Sequence, residues 1–281
     1  MPASYPNYRK SLDRMRYVYA TLSRRSRGLS IGLNLNPDKV CNFACPYCQV
    51  DRTIPGPTSR VDVEELVSEL DRVLSAVQDG SLWTLEPFAS APMEARVARD
   101  LAYAGDGEPT LRPELGAVTA VVRRLRDARA PDLPIRLLTN ATRLRRPGVI
   151  RALDDVDEVW CKLDAGTAAW FRRVDGTRVR LETVLAGLLA FGQRRPIVIQ
   201  SMFHRFGDEA PSSAERDAWA GRLRDLLAGG CRIDRVQVYT VARTPAQPDA
   251  LPLSLLELKD VADRARALGL PVEVHGPWAN A

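Results

Sequence analysis

From Leu29 to Leu268 the sequence keeps switching between two hydrophobic periods, and that switching constrains the fold more than any other feature. Short apolar runs at Leu29–Leu35, Asp100–Ala104, Ile135–Thr139, Val159–Asp164, Ile197–Met202 and Val236–Val241 read as strands. Between and after them lie amphipathic stretches at Asp62–Val77, Glu114–Arg129, Gly148–Leu153, Leu181–Phe191, Ala214–Ala228 and Leu255–Leu268. Strands alternating with helical patterns of roughly 10–15 residues signal parallel βαβ units, because a parallel strand is reached only through a crossover. Six such strands, with a short closing segment Val272-Glu273-Val274, are too few for a closed eight-stranded barrel. The expected class is α/β, a partial (β/α)6 barrel. Ahead of it, Tyr8, Leu12, Met15, Val18, Tyr19 and Leu22 recur at helical spacing, which predicts a helical extension over 1–28 and a barrel over 29–281. The arginines of that helix suit either a nucleic-acid or cluster cover or a solvated face.

The loop after the first strand carries Cys41, Cys45 and Cys48, three of the five cysteines in 281 residues. Clustered thiols in a chain without disulfide-scaffold spacing are metal ligands, and soft sulfur selects zinc, copper(I) or an iron–sulfur cluster. A structural zinc site wants four closed ligands, and neither Cys161 nor Cys231 lies near in sequence. Three thiolates therefore favour a cubane with one iron left open. Their position beyond a strand's carboxyl end is where parallel β/α folds place their chemistry.

These residues resemble the radical S-adenosylmethionine (radical SAM) superfamily. Its CxxxCxxC signature is matched by Cys41, Cys45 and Cys48, with Tyr47 as the customary aromatic before the third cysteine. The run Gly105-Asp106-Gly107-Glu108-Pro109-Thr110-Leu111 is similar to the family's GGEP motif, and Leu138-Thr139-Asn140 and Lys162-Leu163-Asp164-Ala165 extend the likeness to the wyosine-synthase-like branch. The resemblance implies a [4Fe-4S] cluster on the three cysteines and reductive cleavage of S-adenosylmethionine to a 5′-deoxyadenosyl radical. That radical would abstract hydrogen from a small-molecule or peptide substrate, with a flavodoxin- or ferredoxin-type protein as reductant. It further implies that Gly105 to Pro109 bind the methionyl amino group and that Thr139 and Asn140 lie near S-adenosylmethionine or substrate, although a turn-capping asparagine reads equally well. A second cluster, as in tRNA wyosine-forming members, is not expected, because Cys161 and Cys231 cannot supply three ligands. Other functions in view are a tRNA-modifying radical SAM enzyme, an activase of glycyl-radical enzymes, and a non-enzymatic iron–sulfur carrier or zinc module.

Residues two apart on a strand share a face, so Lys162 and Asp164 point together and Cys161 points away, as a buried small hydrophobe. Lys162 stands out in a chain whose other lysines are Lys10, Lys39 and Lys259 alone. It reads either as a Schiff-base or proton-transfer group or as a lysine held charged by Asp164 or Asp106. Gln200, Ser201, His204, Tyr239, Thr240 and Arg243 are the remaining polar groups that could face the barrel lumen, and of these Gln200, Ser201 and Tyr239 join Tyr47 and Asn140 as candidate S-adenosylmethionine contacts. The net charge of +5 is a mild excess that suits either an anionic partner or an arginine-rich composition. No apolar run approaches the ~18–20 residues that span a bilayer, and no signal-peptide core opens the chain, so a cytoplasmic protein is expected.

Overall fold

The computed structural model describes residues 15–23, 25–57, 60–245 and 247–277. It divides into two compact units, one formed by Met1–Cys41, Arg52–Leu138 and Pro147–Val159, the other by Asn42–Asp51, Thr139–Arg146 and Trp160–Ala281. The architecture is α/β, the partial-barrel class expected from the alternation. Among the described residues each of the six anticipated strands is followed by helix.

In the first unit, β1 (Val18–Ser23) runs antiparallel to β2 (Gly28–Leu33), and β2, β3 (Ala98–Tyr103) and β4 (Ile135–Thr139) pair in parallel. β2 is buried along its whole length, as a strand covered on both faces must be. Helix α1 (Val63–Gln78) starts where the Asp62 carboxylate accepts the Glu65 amide at 3.0 Å, and it buries the stripe Leu66, Leu70, Val73 and Leu74. Each such leucine or valine contributes about 1.5–3 kcal/mol by leaving water. Helices α2 (Leu115–Arg129) and α3 (Pro147–Ala152) follow β3 and β4.

The helical spacing from Tyr8 to Leu22 is corrected where it is described: Val18–Ser23 form a strand, while residues 1–14 lie outside the described residues. Two interactions outweigh the helical period. The edge of β2 offers a ladder from Val18↔Leu33 to Ser23↔Gly28. The buried Glu69 carboxylate on α1 takes the amides of Arg16, Tyr17 and Val18 at 2.7, 2.8 and 2.9 Å. A helix over the same residues would leave Glu69 without these donors.

In the second unit, β5 (Glu158–Lys162), β6 (Ile197–Met202), β8 (Ile233–Tyr239) and β10 (Val272–His275) pair in parallel in that order. A separate antiparallel pair, β7 (His204–Phe206) and β9 (Ala250–Pro252), follows the carboxyl ends of β6 and β8. Helices α4 (Ala168–Val174) and α5 (Leu181–Arg194) follow β5, and α6 (Ser213–Ala228) and α7 (Leu255–Arg266) follow β6 and β8. Ser254 and Glu257 close a reciprocal capping box on α7. The fully buried Trp219 of α6 donates its indole N–H to the Leu163 carbonyl and the Ser201 hydroxyl, both at 3.1 Å, which fixes that helix on the sheet.

Replacing Glu69 by alanine strands three amides, two of them buried, so Glu69→Ala is expected to lose about 2–4 kcal/mol of stability. Urea unfolding followed by circular dichroism checks it, and a loss under about 1 kcal/mol would rule out this account of the amino-terminal strand.

Candidate active site

The cysteine loop is held from behind by one short segment, Phe171 to Thr177. The ring of Phe171 meets Phe43 edge-on at 5.7 Å, the Ala44 amide donates to the Asp175 carbonyl at 3.1 Å, and the Thr177 hydroxyl donates to the Asn42 carbonyl at 2.9 Å. Gly176 makes the turn with φ of 54°, and a Cβ there would collide with the Ala44 carbonyl. Only glycine combines that left-handed conformation with so close a backbone approach. The segment was not singled out from the sequence, although Asp-Gly is a turn signature that stood in plain view at 175–176.

Behind this clamp lies a buried ionic group. Lys162 at the end of β5 pairs with Asp164 and, at 2.7 Å, with Asp175, and its ammonium sits 4.5 Å from the centre of the Tyr47 ring. The Tyr47 hydroxyl donates to Asp164, and the other Asp164 oxygen accepts the Met202 amide at 2.9 Å. The Cys45 thiol reaches Asp175 Oδ1 at 3.7 Å. Burial works against the Lys162 charge, but Asp164 and Asp175 overcome it and raise the ammonium pKa well above its usual value. Burial raises the Asp164 carboxyl against the pull of Lys162, and pushes Asp175 up to about 7 with Lys162 opposing and Asp164 reinforcing. The Cys45 thiol is likewise pushed well up by desolvation, against Lys162. His204, packed edge-on against Tyr47 at 5.4 Å, is held lower by burial.

Lys162 and Asp164 thus share a face, and Cys161 is fully buried away from them, as the period-two reading requires. The second carboxylate on the lysine is Asp175. Asp106 instead bonds Asn34: its Oδ2 accepts the Asn34 side-chain amide at 2.8 Å, and its amide donates to Asn34 Oδ1 at 3.1 Å.

In the first unit, the glycines of the Gly105–Pro109 turn are required by a neighbour: a Cβ on Gly105 would collide with Asn34, and one on Gly107 with the Val40 carbonyl. The buried Glu108 carboxylate accepts the Thr110 amide at 3.1 Å and hydroxyl at 2.5 Å, capping the single 3-10 turn Pro109–Leu111. In the second unit, Asn140 donates to the Asn42 side chain at 2.6 Å. Gln200 donates to Gln237 at 2.7 Å, which passes a bond to Glu273 at 2.9 Å, and Tyr239 is half-buried at the end of β8. Ser201 takes the opposite face of β6 from Gln200. Its hydroxyl is spent on the Leu163 carbonyl at 2.5 Å and on Trp219, so it packs under α6 and not beside Gln200. Thr240 is buried and accepts the Leu253 amide at 2.9 Å.

None of the five cysteines is in a disulfide; Cys41, Cys45 and Cys48 are partly exposed and Cys161 and Cys231 buried. Among the described residues no three His, Cys, Asp or Glu side chains converge tightly enough for one metal ion. A cubane asks for less convergence, because each thiolate takes a different iron. Three thiols in one loop are a donor set that fits such a cluster. No helix among the described residues is long and apolar enough to cross a membrane.

Comparison with known proteins follows the same motifs. A model of the radical SAM superfamily matches residues 35–210. A UPF0026 protein of Methanocaldococcus jannaschii is 28% identical over 179 residues, covering 63% of this chain and 50% of that protein. The GTPase Obg of Brachyspira hyodysenteriae is 24% identical over 260 residues, covering 90% of this chain and 34% of that protein. The chain spans between about a third and a half of the length of these curated relatives. Among solved structures, a radical SAM methyltransferase from Sphaerobacter thermophilus superposes with a TM-score of 0.63 at 17% identity, covering 92% of this chain and 69% of that one. TYW1 with a lysine-pyruvate adduct bound superposes with a TM-score of 0.54 at 14% identity, covering 95% and 90%. These likenesses show the fold.

The Cys231 thiol, raised to about 11 by burial, and the fully buried Cys161 are expected to escape iodoacetamide in the folded apo-protein at about pH 8, since the thiolate is the reactive form. Cys41 and Cys48 should label under the same conditions, and peptide mass spectrometry before and after urea gives the comparison. Labelling of Cys161 or Cys231 at the rate seen in urea would contradict the packing described.

Proposed function

Because the chain belongs to the radical SAM superfamily, whose enzymes use a [4Fe-4S] cluster and S-adenosylmethionine, we propose that Cys41, Cys45 and Cys48 hold that cluster in an enzyme that cleaves S-adenosylmethionine reductively to act on a small-molecule or peptide substrate. The carrying observation is the loop itself: three partly exposed thiols in a family signature, clamped by Phe171–Thr177, while the other two cysteines are buried. When bound, the cluster supplies one electron to the sulfonium, from a flavodoxin- or ferredoxin-type reductant. The turn Gly105–Pro109, together with Asn140, Gln200 and Tyr239, binds and orients S-adenosylmethionine in this reading, and Tyr47 backs the cluster loop.

Lys162 and Asp164 act by position and charge. An ammonium between two buried carboxylates stays protonated, and a protonated amine is no nucleophile. The geometry therefore favours an electrostatic role over a Schiff base.

A second reading, an RNA substrate, draws on charge. Arg143, Arg145 and Arg146 follow β4, and Arg178 and Arg180 follow α4; among the described residues none of the five pairs with a carboxylate. Both loops are tied to Asn42, through Thr142 at 3.0 Å and Thr177 at 2.9 Å, so this basic surface adjoins the middle of the cysteine motif.

The protein reconstituted anaerobically with iron and sulfide, then given dithionite and S-adenosylmethionine, is expected to release 5′-deoxyadenosine, and Cys45→Ala to release none. Enzymatic methylthioadenosine in its place would mean that a different sulfonium bond breaks. No product from a fully loaded cluster, with or without candidate substrates, would count against the assignment. For the second reading, binding to bulk tRNA should weaken steeply with salt, and Arg145→Ala or Arg178→Ala should each reduce the salt slope by about one. Salt-independent or absent binding would discard RNA.

A further inference from the structure

Asp175 lies outside the family motifs that the sequence displays, yet its carboxylate touches both a cysteine of the cluster motif and the buried lysine. Its Oδ1 lies 3.7 Å from the Cys45 sulfur and 2.7 Å from Lys162 Nζ, and its side chain is buried. The contact is set by backbone and not by a flexible side chain alone. The Ala44 amide holds the Asp175 carbonyl, and Gly176, having no Cβ, lets the turn come that close to Ala44.

We infer that Asp175 is a positioning residue for Cys45 and that, together with Lys162, it sets the reduction potential of the cluster; this rests on the three cysteines being the cluster ligands. Once Cys45 binds iron it has no proton to give, so a carboxylate faces a sulfur that carries negative charge. Two like charges so close repel, and the ammonium at 2.7 Å is what makes the arrangement tolerable. Cluster potentials respond to net charge, to groups bonded to the sulfurs and to exposure, and partners behind a ligand tune it through that ligand. A negative charge behind Cys45 disfavours the added electron and lowers the potential, which makes the reduced cluster a stronger donor to a sulfonium. The lysine limits that lowering. Asp175 therefore acts on the driving force of the electron transfer, and it does so without touching the substrate.

The test is a redox titration of the reconstituted protein, followed by electron paramagnetic resonance with no S-adenosylmethionine present. Asp175→Asn is expected to keep the iron and sulfide content of the wild type and to move the midpoint to a less negative potential; Asp175→Glu should bring it back toward the wild type. Equal midpoints in all three proteins at matched iron content would overturn the inference. If Asp175→Asn folds but takes up no iron, Lys162→Gln carries the test: its midpoint should become more negative, and an unchanged one overturns the inference. A wild type that takes up no iron would sink the cluster assignment itself, a distinct outcome.

Discussion

One ammonium held between two buried carboxylates organises the second unit. Lys162 comes from β5, Asp164 from the residues just after it, and Asp175 from the turn after α4. Removing Lys162 would leave two carboxylates uncompensated away from water, a loss of several kcal/mol. The loop from Asn42 to Cys48 is attached to this group through Cys45, Ala44 and Tyr47. A segment with little secondary structure of its own thus receives a fixed conformation from charges it does not carry. The first unit solves a similar problem with a single side chain, Glu69, which takes three amides of the amino-terminal strand.

The parallel architecture was legible because period carries it: β4 and β6 fall at Ile135–Thr139 and Ile197–Met202, the stretches read as strands. The face of Cys161 was legible for the same reason. What period does not carry was missed. β1 is a strand because of Glu69 and the free edge of β2, both distant in sequence. Helix α4 is too short to show a stripe, and β7 and β9 are three residues each. Asp175 became visible only when the turn at Gly176 was seen against Ala44, a contact that no local pattern encodes.

The Gly105–Pro109 turn shows how a correct motif can have a different local cause. Its glycines are required by Asn34, Asn36 and Val40, which pack where side chains would otherwise stand. The turn is thereby braced against the segment leading into Cys41. Ser201 makes the opposite point. It sits beside Gln200 in sequence, and the strand period alone puts it on the other face, under Trp219.

The placing of three partly exposed cysteines in one loop, with the other two buried, has a consequence for assembly. Iron delivered to a protein with scattered accessible thiols finds many partial sites, and inorganic sulfide then builds a mixture of clusters upon them. Here Cys161 and Cys231 are withdrawn behind packed side chains. An incoming iron atom would therefore meet partly exposed cysteines in one loop alone.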